Sequence, residues 1–214
     1  MCRVFQEKHA GIKEPPGTGN SPSTGEGKVV AMYRAQAGHN GIVVWFTGLS
    51  SAGKTTICEA VYTELLASGV RAEMLDGDTF RQHLNRDLGF SKEDRDENVR
   101  RLGFVARLLA RHGVVVLVSA ISPYRKVRDE IRASVETFLE VYVNAPLHIC
   151  EARDVKGLYR KARLGLIQQF TGIDDPYEPP LSPEIECQTD LQSVRQCVES
   201  VIDGIGKRLG KAPE

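Results

Sequence analysis

The sequence of 214 residues has no net charge and no apolar run long enough to cross a membrane. Its 28 Lys and Arg residues balance 28 Asp and Glu residues, so no overall field favours DNA, RNA or an anionic membrane surface. The longest apolar runs, such as Val114 to Val118, are strand-sized, whereas a membrane-spanning helix requires ~20 apolar residues. We therefore expect a soluble protein that binds a small charged ligand, with no nucleic acid and no membrane as partner.

Cysteine is scarce and follows no ligand or disulfide pattern. The five cysteines are odd in number, contain no CxxC pair and have no His spacing typical of a zinc site. The N-terminal segment lacks the apolar stretch of a signal peptide, and Glu7, Glu14 and Glu26 lie among its basic residues, unlike in a transit peptide. These absences predict reduced cysteines and a cytoplasmic protein.

The chain divides into a tail and one domain. Residues 1–38 are rich in Pro, Gly, Ser and Thr without helical or strand periodicity, which predicts a flexible tail. In residues 39–214, strand-like segments alternate with amphipathic stretches of helix length. The segments are IVVWFT (42–47), VRAEML (70–75), VVVLVS (114–119) and FLEVYVN (138–144). Because apolar strands need cover on both faces, we predict an α/β fold, a three-layer α/β/α sandwich with a mostly parallel sheet and ligands at the strands' carboxyl ends.

Helical spacing and composition indicate further elements. Two stripes of apolar residues predict helices that face the core, and residues 154–183, with many charges and four prolines, predict a lid. The segment EARDVKGLYRKAR (151–163) is basic, with five Lys and Arg against two Asp and Glu, so this lid could cover anionic nucleotides, bind RNA or simply be solvated. The two stripes are Val99, Leu102, Val105 and Leu109, and Val194, Val198, Val201 and Ile205.

A phosphate-binding motif follows the first strand. GLSSAGKTT (48–56) contains GxxxxGK[ST] and leads into the helical run ICEAVYTELLAS, the strand–loop–helix context that the motif requires. Backbone N–H groups would surround the phosphates of ATP, Lys54 would reach the β/γ oxygens and the Thr55 hydroxyl would ligate Mg²⁺. A metabolic kinase, a GTPase switch and a motor ATPase all use this loop, although the NKxD motif of GTPases is absent. The residues predicted to hold ATP are Gly48, Leu49, Ser50, Ser51, Ala52, Gly53, Lys54, Thr55 and Thr56.

Polar residues after the second strand point to an acceptor site. In LDGDTFR (75–81), Asp76 or Asp78 could orient a hydroxyl, accept its proton or hold Mg²⁺, and Arg81 could bind an anionic group. A DGD turn that only caps a helix is the alternative. Further on, Arg95 and Asn98 share one helical face, which could grip a ligand or stay solvated. Phe90 could stack on a base or staple the helix start.

Several stretches together resemble the adenylyl-sulfate kinases over residues 41 to about 190. These stretches are WFTGLSSAGKTT, LDGDTFRQHLNRDLGFSKEDRDENVRR, SAISPYRKVRDEIR (119–132), FLEVYVNAPLHICEARDVKGLYRKAR (138–163) and FTGIDDPYEPP (170–180). The resemblance implies transfer of the γ-phosphoryl group of ATP to the 3′-hydroxyl of adenosine 5′-phosphosulfate. A small departure is Ser51, which stands where the family often has glycine and tightens the steric demands of the loop.

The resemblance also implies roles for individual residues. Phe90 and Phe170 would clasp the adenine of the acceptor, and Arg153 and Thr189 would contact the adenine of ATP. The full set implied to hold adenosine 5′-phosphosulfate is Asp78, Arg81, Phe90, Arg95, Asn98, Ile121, Ser122, Lys156 and Phe170.

The catalytic residues are expected to be Lys54, Asp78 and Ser122, with Thr55 and Asp76 at the metal. The resemblance identifies Ser122 with a serine described as a phosphorylated intermediate. No His or carboxylate lies within four residues after Ser122 to act as a base, so we favour direct in-line transfer. We also expect a homodimer and a functional link to an ATP sulfurylase. Another small-molecule kinase, with a sugar or shikimate-like acceptor, is the alternative function.

Overall fold

The computed structural model describes residues 41–210, in which five parallel strands form one sheet between two layers of helices. The strands are β1 (Ile42–Thr47), β2 (Ala72–Asp76), β3 (Val115–Ser119), β4 (Phe138–Asn144) and β5 (Ile185–Gln188), in the sheet order β2-β3-β1-β4-β5. The helices are α1 (Lys54–Ala67), α2 (Gly77–His83), α3 (Lys92–Ala110), α4 (Arg125–Ser134), α5 (Leu147–Arg153), α6 (Leu158–Arg163) and α7 (Val194–Leu209). The predicted α/β sandwich is confirmed, with every strand pair of the described sheet parallel.

Alternate residues of the central strand serve two separate cores. Val44 and Phe46 of β1 pack in the cluster beneath α1 and α7, whereas Val43 and Trp45 pack in the cluster beneath α3 and α4. This alternation follows from the two-residue period of a strand, which points successive side chains to opposite faces. An apolar run such as IVVWFT is therefore required for a strand that is covered on both sides.

The four predicted strands are present, and a fifth was missed. β2 begins at Ala72, two residues later than predicted, while β1 and β4 have the predicted bounds. β5 is four residues long at the sheet edge, where only Cys187 is fully buried, so its sequence IECQ lacks an apolar run. One predicted core position is wrong, because Val194 is the first residue of α7 and its side chain is 45% exposed.

The carboxyl ends of three strands meet at one edge of the sheet. Asp76 at the end of β2 and Phe46 near the end of β1 both pair with Ser119 at the end of β3. The loops that follow these strands therefore lie together, as expected of an open parallel sheet. The predicted tail, residues 1–38, lies outside the described residues. Within residues 41–210, no helix is long and apolar enough to cross a membrane.

Candidate active site

The phosphate-binding loop connects β1 to α1, and its backbone conformation explains its residues. A Cβ atom on Gly48 would lie 2.3 Å from the carbonyl oxygen of Val143 on β4, so only glycine fits there. Gly53, the N-cap of α1, has a φ of 104°, which glycine adopts without strain. Ser51 has a φ of 57°, in the left-handed region that residues other than glycine seldom adopt. A serine at this position of the loop therefore meets the steric demand that the sequence predicts.

Lys54 lies buried beneath the loop. Its Nζ donates to the carbonyl oxygens of Gly48, at 3.1 Å, and Leu49, at 2.7 Å. Burial lowers the pKa of Lys54 to about 8, although the nearby Asp78 and Asp76 carboxylates act against this shift. The ammonium is thus weakly solvated at the start of α1, where a phosphate would compensate its charge.

Oxygen atoms suited to magnesium meet at the ends of β2 and β3. The Thr55 hydroxyl lies 3.3 Å from that of Ser119, the residue that pairs with Asp76 across the two strands. No group of three or more His, Cys, Asp or Glu side chains within residues 41–210 could hold a metal. Hydroxyl and carboxylate oxygens are nevertheless suitable Mg²⁺ ligands, because this ion commonly keeps water and substrate phosphates in its shell. Thr55 and Asp76 therefore fit a magnesium ion that is shared with a nucleotide.

Asp76 also caps the helix that carries the acceptor-side residues. Its Oδ1 accepts from the backbone N–H groups of Asp78, at 3.1 Å, and Thr79, at 3.0 Å. The capping interpretation of the DGD turn is thus correct for Asp76, and it does not exclude a functional role for Asp78. Asp78 projects from the first turn of α2, where its Oδ2 lies 2.5 Å from Lys156 Nζ. The structure therefore brings together two of the predicted acceptor residues.

Arg81 and Phe90 lie together on the same side. The Arg81 guanidinium donates to the carbonyl oxygen of Gly89 at 2.7 Å, and its carbon lies 4.6 Å from the centre of the Phe90 ring. Phe90 is 64% exposed, so most of its ring is available to a ligand. Ser91 caps α3, by accepting from the N–H of Asp94 at 3.1 Å.

Arg95 is buried and connects α3 to the segment that carries Phe170. Its guanidinium donates to the carbonyl oxygen of Phe90 at 2.9 Å, to the Asp175 carboxylate at 3.0 Å, and to Thr171 and the carbonyl oxygen of Gln169. The alternative of a solvated helical face is therefore wrong for Arg95. It is also wrong for Asn98, which is buried and accepts from the side chain of Asn85 at 2.8 Å.

Phe170 is joined to the phosphate-binding loop through a tyrosine that the sequence analysis did not single out. The rings of Phe170 and the buried Tyr159 meet edge to face, with centroids 5.0 Å apart. The Tyr159 hydroxyl donates to the carbonyl oxygen of Ser50 at 3.1 Å. The predicted lid segment therefore begins with α6 anchored on the loop that would hold ATP.

Ser122 has an unusual backbone conformation and a buried side chain. Its φ is 41°, and its hydroxyl accepts from the indole N–H of Trp45 at 2.9 Å and donates to the carbonyl oxygen of Ala120 at 3.3 Å. Neither partner is a base that could remove the hydroxyl proton. The preceding residue, Ile121, is also held, because its carbonyl oxygen accepts from Thr47 Oγ1 at 2.8 Å.

Arg153 and Thr189 hold the far side of the phosphate-binding loop. Arg153 donates to Thr189 Oγ1 at 2.9 Å and to the Thr189 carbonyl oxygen at 2.7 Å, and Thr189 Oγ1 donates to the carbonyl oxygen of Ala52 at 2.8 Å. The two residues predicted near the adenine of ATP are thus adjacent, and they also support the loop that would bind its phosphates.

A phosphate-binding loop after the central strand, with a carboxylate, an arginine and an exposed aromatic ring after β2, defines the chain as a P-loop kinase of the α/β class. Comparison with known proteins identifies the family. The adenylylsulphate kinase family model matches residues 40–188. An adenylyl-sulfate kinase of Synechococcus sp. (strain JA-3-3Ab) is 61% identical over 168 residues, which cover 78% of this chain and 96% of the relative.

Solved structures agree with this assignment. The APS kinase of Mycobacterium tuberculosis, in complex with AMPPNP and APS, is 48% identical with a TM-score of 0.74, over 77% of this chain and 96% of that one. A hexameric APS kinase from Thiobacillus denitrificans is 31% identical with a TM-score of 0.60, over 82% of this chain and 30% of that one. The chain belongs to the adenylylsulphate kinase family and is a phosphotransferase with an alcohol group as acceptor.

Proposed function

We propose that this chain transfers the γ-phosphoryl group of ATP to the 3′-hydroxyl of adenosine 5′-phosphosulfate, which yields 3′-phosphoadenosine 5′-phosphosulfate and ADP. Family membership supports the activity, and one observation carries the choice of acceptor. Arg95 binds the main chain at Phe90 and at Gln169, directly before Phe170, which supports a site that both phenylalanines line. Aromatic faces suit a purine base, which a sugar or a shikimate-like acceptor lacks.

The charges at this side match an anionic acceptor. Arg81 contacts the Phe90 ring and Lys156 pairs with Asp78, and a phosphosulfate group carries about two negative charges. Arg81 can offer a bidentate pair of N–H donors, whereas Lys156 acts as a mobile point charge. The proposed acceptor site also includes Arg95 and Asn98, two buried groups that shape it. It is completed by Ile121 and Ser122, in the turn that follows β3.

The proposed mechanism is direct in-line transfer. Asp78 orients the 3′-hydroxyl and accepts its proton, while Lys54 stabilises charge that develops on the β/γ oxygens. Backbone N–H groups of residues 48–56 cradle the phosphates, and Arg153 and Thr189 contact the adenine of ATP. Bound Mg²⁺, held by Thr55 and by Asp76 through water, would neutralise phosphate charge. In this mechanism Ser122 hydrogen-bonds the acceptor and forms no covalent intermediate.

The decisive experiment measures ADP release with ATP, Mg²⁺ and adenosine 5′-phosphosulfate. Adenosine 5′-monophosphate serves as the matched control, because it has the same base and 3′-hydroxyl but no sulfate. We expect turnover of the sulfated acceptor to exceed that of the control by at least tenfold. Equal turnover of the two, or preferential phosphorylation of a sugar or of shikimate, would overturn the proposal.

We further propose that the chain forms a homodimer. Leu84 and Phe104 are exposed apolar residues that line one surface cavity, and the exposed Leu108 follows Phe104 by about one turn of α3. Covering them would remove apolar surface from water. The hexameric relative supports self-association in principle. Sedimentation measurements would give the state in solution, and a monomer at micromolar concentration would contradict the proposal.

The cellular context follows from the acceptor and from the thiols. The proposed acceptor is made by joining an adenylyl group to sulfate, so we propose a functional link to an ATP sulfurylase. Cys58, Cys150, Cys187 and Cys197 are buried free thiols, which supports a reducing, cytoplasmic location.

A further inference from the structure

Arg128 of α4 is almost fully buried and connects two segments of the proposed acceptor site. Its Nη1 donates to the carbonyl oxygen of Ser122 at 2.6 Å, and its Nη2 donates to that of Glu178 at 2.7 Å. Its Nε donates to Glu140 Oε1 at 2.9 Å. With 2% exposure, all three sides of the planar guanidinium are thus used inside the protein.

The first of these bonds acts on a strained turn. Ser122 has a φ of 41°, a region that residues other than glycine rarely adopt and that persists only where surrounding contacts hold it. Trp45 fixes the side chain of Ser122, and Arg128 fixes its carbonyl oxygen. Together, Trp45 and Arg128 fix the position of the backbone of residues 121 and 122 in the proposed acceptor site.

The second bond acts on the segment that follows Phe170. The N–H of Glu178 donates to the carbonyl oxygen of Pro123 at 2.8 Å, and the Glu178 carboxylate accepts from the N–H of Arg125 at 2.8 Å. Next to it, the Tyr177 hydroxyl lies 3.0 Å from Thr47 Oγ1. Arg128 therefore lies at the point where the turn after β3 and the segment after Phe170 are joined.

The third bond keeps the guanidinium in place. Glu140 on β4 is buried and is shared by Arg128 and Arg132, at 2.9 Å from each. Arg132 continues the network to Glu184 at 2.5 Å and contacts neither Ser122 nor Glu178 in the described part of the chain. A lysine at position 128 would keep one positive charge opposite Glu140 but would lose the planar fork that reaches two carbonyl groups.

We propose that Arg128 is a positioning residue for phosphoryl transfer, which holds the Ser122 turn and the 177–178 segment in the relative placement that receives the acceptor. This inference rests on the proposed function. It predicts a defect confined to the acceptor, because Arg128 makes no contact with residues 48–56 of the phosphate-binding loop.

The test compares Arg128→Lys with Arg132→Lys as the matched control. Both variants retain charge and disturb the pairing with Glu140, but only Arg128→Lys loses the fork to the two carbonyl groups. We expect Arg128→Lys to lower kcat/KM for adenosine 5′-phosphosulfate at least tenfold, with affinity for an ATP analogue within twofold of wild type. Arg132→Lys should stay within threefold in both measurements. Equal losses for both ligands, or no loss for the acceptor, would overturn the inference.

A second variant covers the case in which Arg128→Lys does not fold. Glu140→Gln is nearly isosteric and loosens the anchor of Arg128 without removing its bonds to the carbonyl groups. We expect it to lower kcat/KM for the acceptor three- to tenfold at unchanged affinity for the ATP analogue, and unchanged acceptor kinetics would overturn the inference. Wild-type protein that turned over the sulfated acceptor and adenosine 5′-monophosphate equally would overturn both the inference and the proposed function. Failure of the inference alone would leave that selectivity intact in wild type.

Discussion

The Lys156 ammonium lies 2.5 Å from the Asp78 carboxylate, although the two residues are 78 positions apart in the chain. Both side chains are about two-thirds exposed, at 64% and 66%. Exposed ion pairs of this kind contribute little to stability. We therefore expect this pair to act in the reaction, because both of its charges interact with Lys54. The hydrogen bond from Lys156 to Asp78 raises the pKa of Lys156, because it favours the charged ammonium.

The first prediction concerns Lys156. Lys156→Met should lower kcat/KM for the acceptor roughly tenfold, because one of the cations near the phosphosulfate is lost, while thermal stability stays close to that of wild type. Lys207→Met is the matched control, since Lys207 forms an exposed pair with Asp203 at 2.6 Å on α7, away from the site. Similar acceptor kinetics in the two variants would remove Lys156 from the acceptor site.

The second prediction concerns Lys54. Lys54→Ala should reduce kcat by roughly 10²-fold or more while the fold survives, because the variant loses a cation that stabilises charge in the transition state. Because burial lowers the pKa of Lys54 to about 8, affinity for an ATP analogue should fall as the pH rises through 8 in wild type. The alanine variant should show no such step, and a loss confined to thermal stability would contradict the assignment.

The lowered pKa of Lys54 also makes the stability of the folded protein depend on pH. Between about 8 and the ordinary lysine value of 10.5, the folded protein holds fewer protons at Lys54 than the unfolded chain does. The contribution of Lys54 to the free energy of unfolding therefore increases as the pH rises through this window. Unfolding of wild type and of Lys54→Met, compared at pH 7.5 and 10, measures this contribution as a difference.

The third prediction tests base stacking at Phe90. Phe90→Ala should raise KM for adenosine 5′-phosphosulfate at least tenfold with little loss of stability, because its ring is exposed and contacts Arg81. Leu66→Ala is the control, since Leu66 is an apolar residue that is 47% exposed near the end of α1 and belongs to neither the acceptor site nor the proposed dimer surface. If both variants kept the acceptor KM of wild type, an acceptor without a base would be favoured.

The fourth prediction separates the two mechanisms at Ser122. In direct transfer, Ser122→Ala loses one hydrogen bond to the acceptor, which costs ~1–2 kcal/mol and appears as a modest decrease in kcat/KM. A covalent mechanism instead requires that the variant be inactive and that ³²P from γ-labelled ATP appear on wild type and chase into product. We expect the modest decrease, because the hydroxyl of Ser122 contacts an indole and a carbonyl group and no base.

The fifth prediction concerns the N-terminal residues. Removing residues 1–36 should leave kcat and KM unchanged, because the family match begins at residue 40 and the structure of the sheet begins at Ile42. Purified truncated and full-length proteins, assayed side by side, provide the measurement. Loss of active protein on truncation would assign these residues a part in folding or catalysis.

Much of the fold and the donor side of the site could be predicted from sequence because the signals are local. IVVWFT and VVVLVS are apolar runs that predict buried parallel strands, and GLSSAGKTT places its phosphate-binding groups within nine consecutive residues. The resemblance to one family then assigned acceptor residues that spacing alone left open. β5 was not predicted, because an edge strand of four residues needs no apolar run.

Only the tertiary structure decided which partners the polar residues meet. Helical spacing put Arg95 and Asn98 on one face, but burial of that face and the bonds from Arg95 to Asp175 depend on a segment 80 residues away. The same holds for Trp45, which has the sequence pattern of a core residue and yet donates to Ser122, 77 residues later. A sequence motif encodes contacts within a few residues. Contacts between distant segments depend instead on the order of the strands in the sheet, because that order brings the ends of β1, β2 and β3 to one edge.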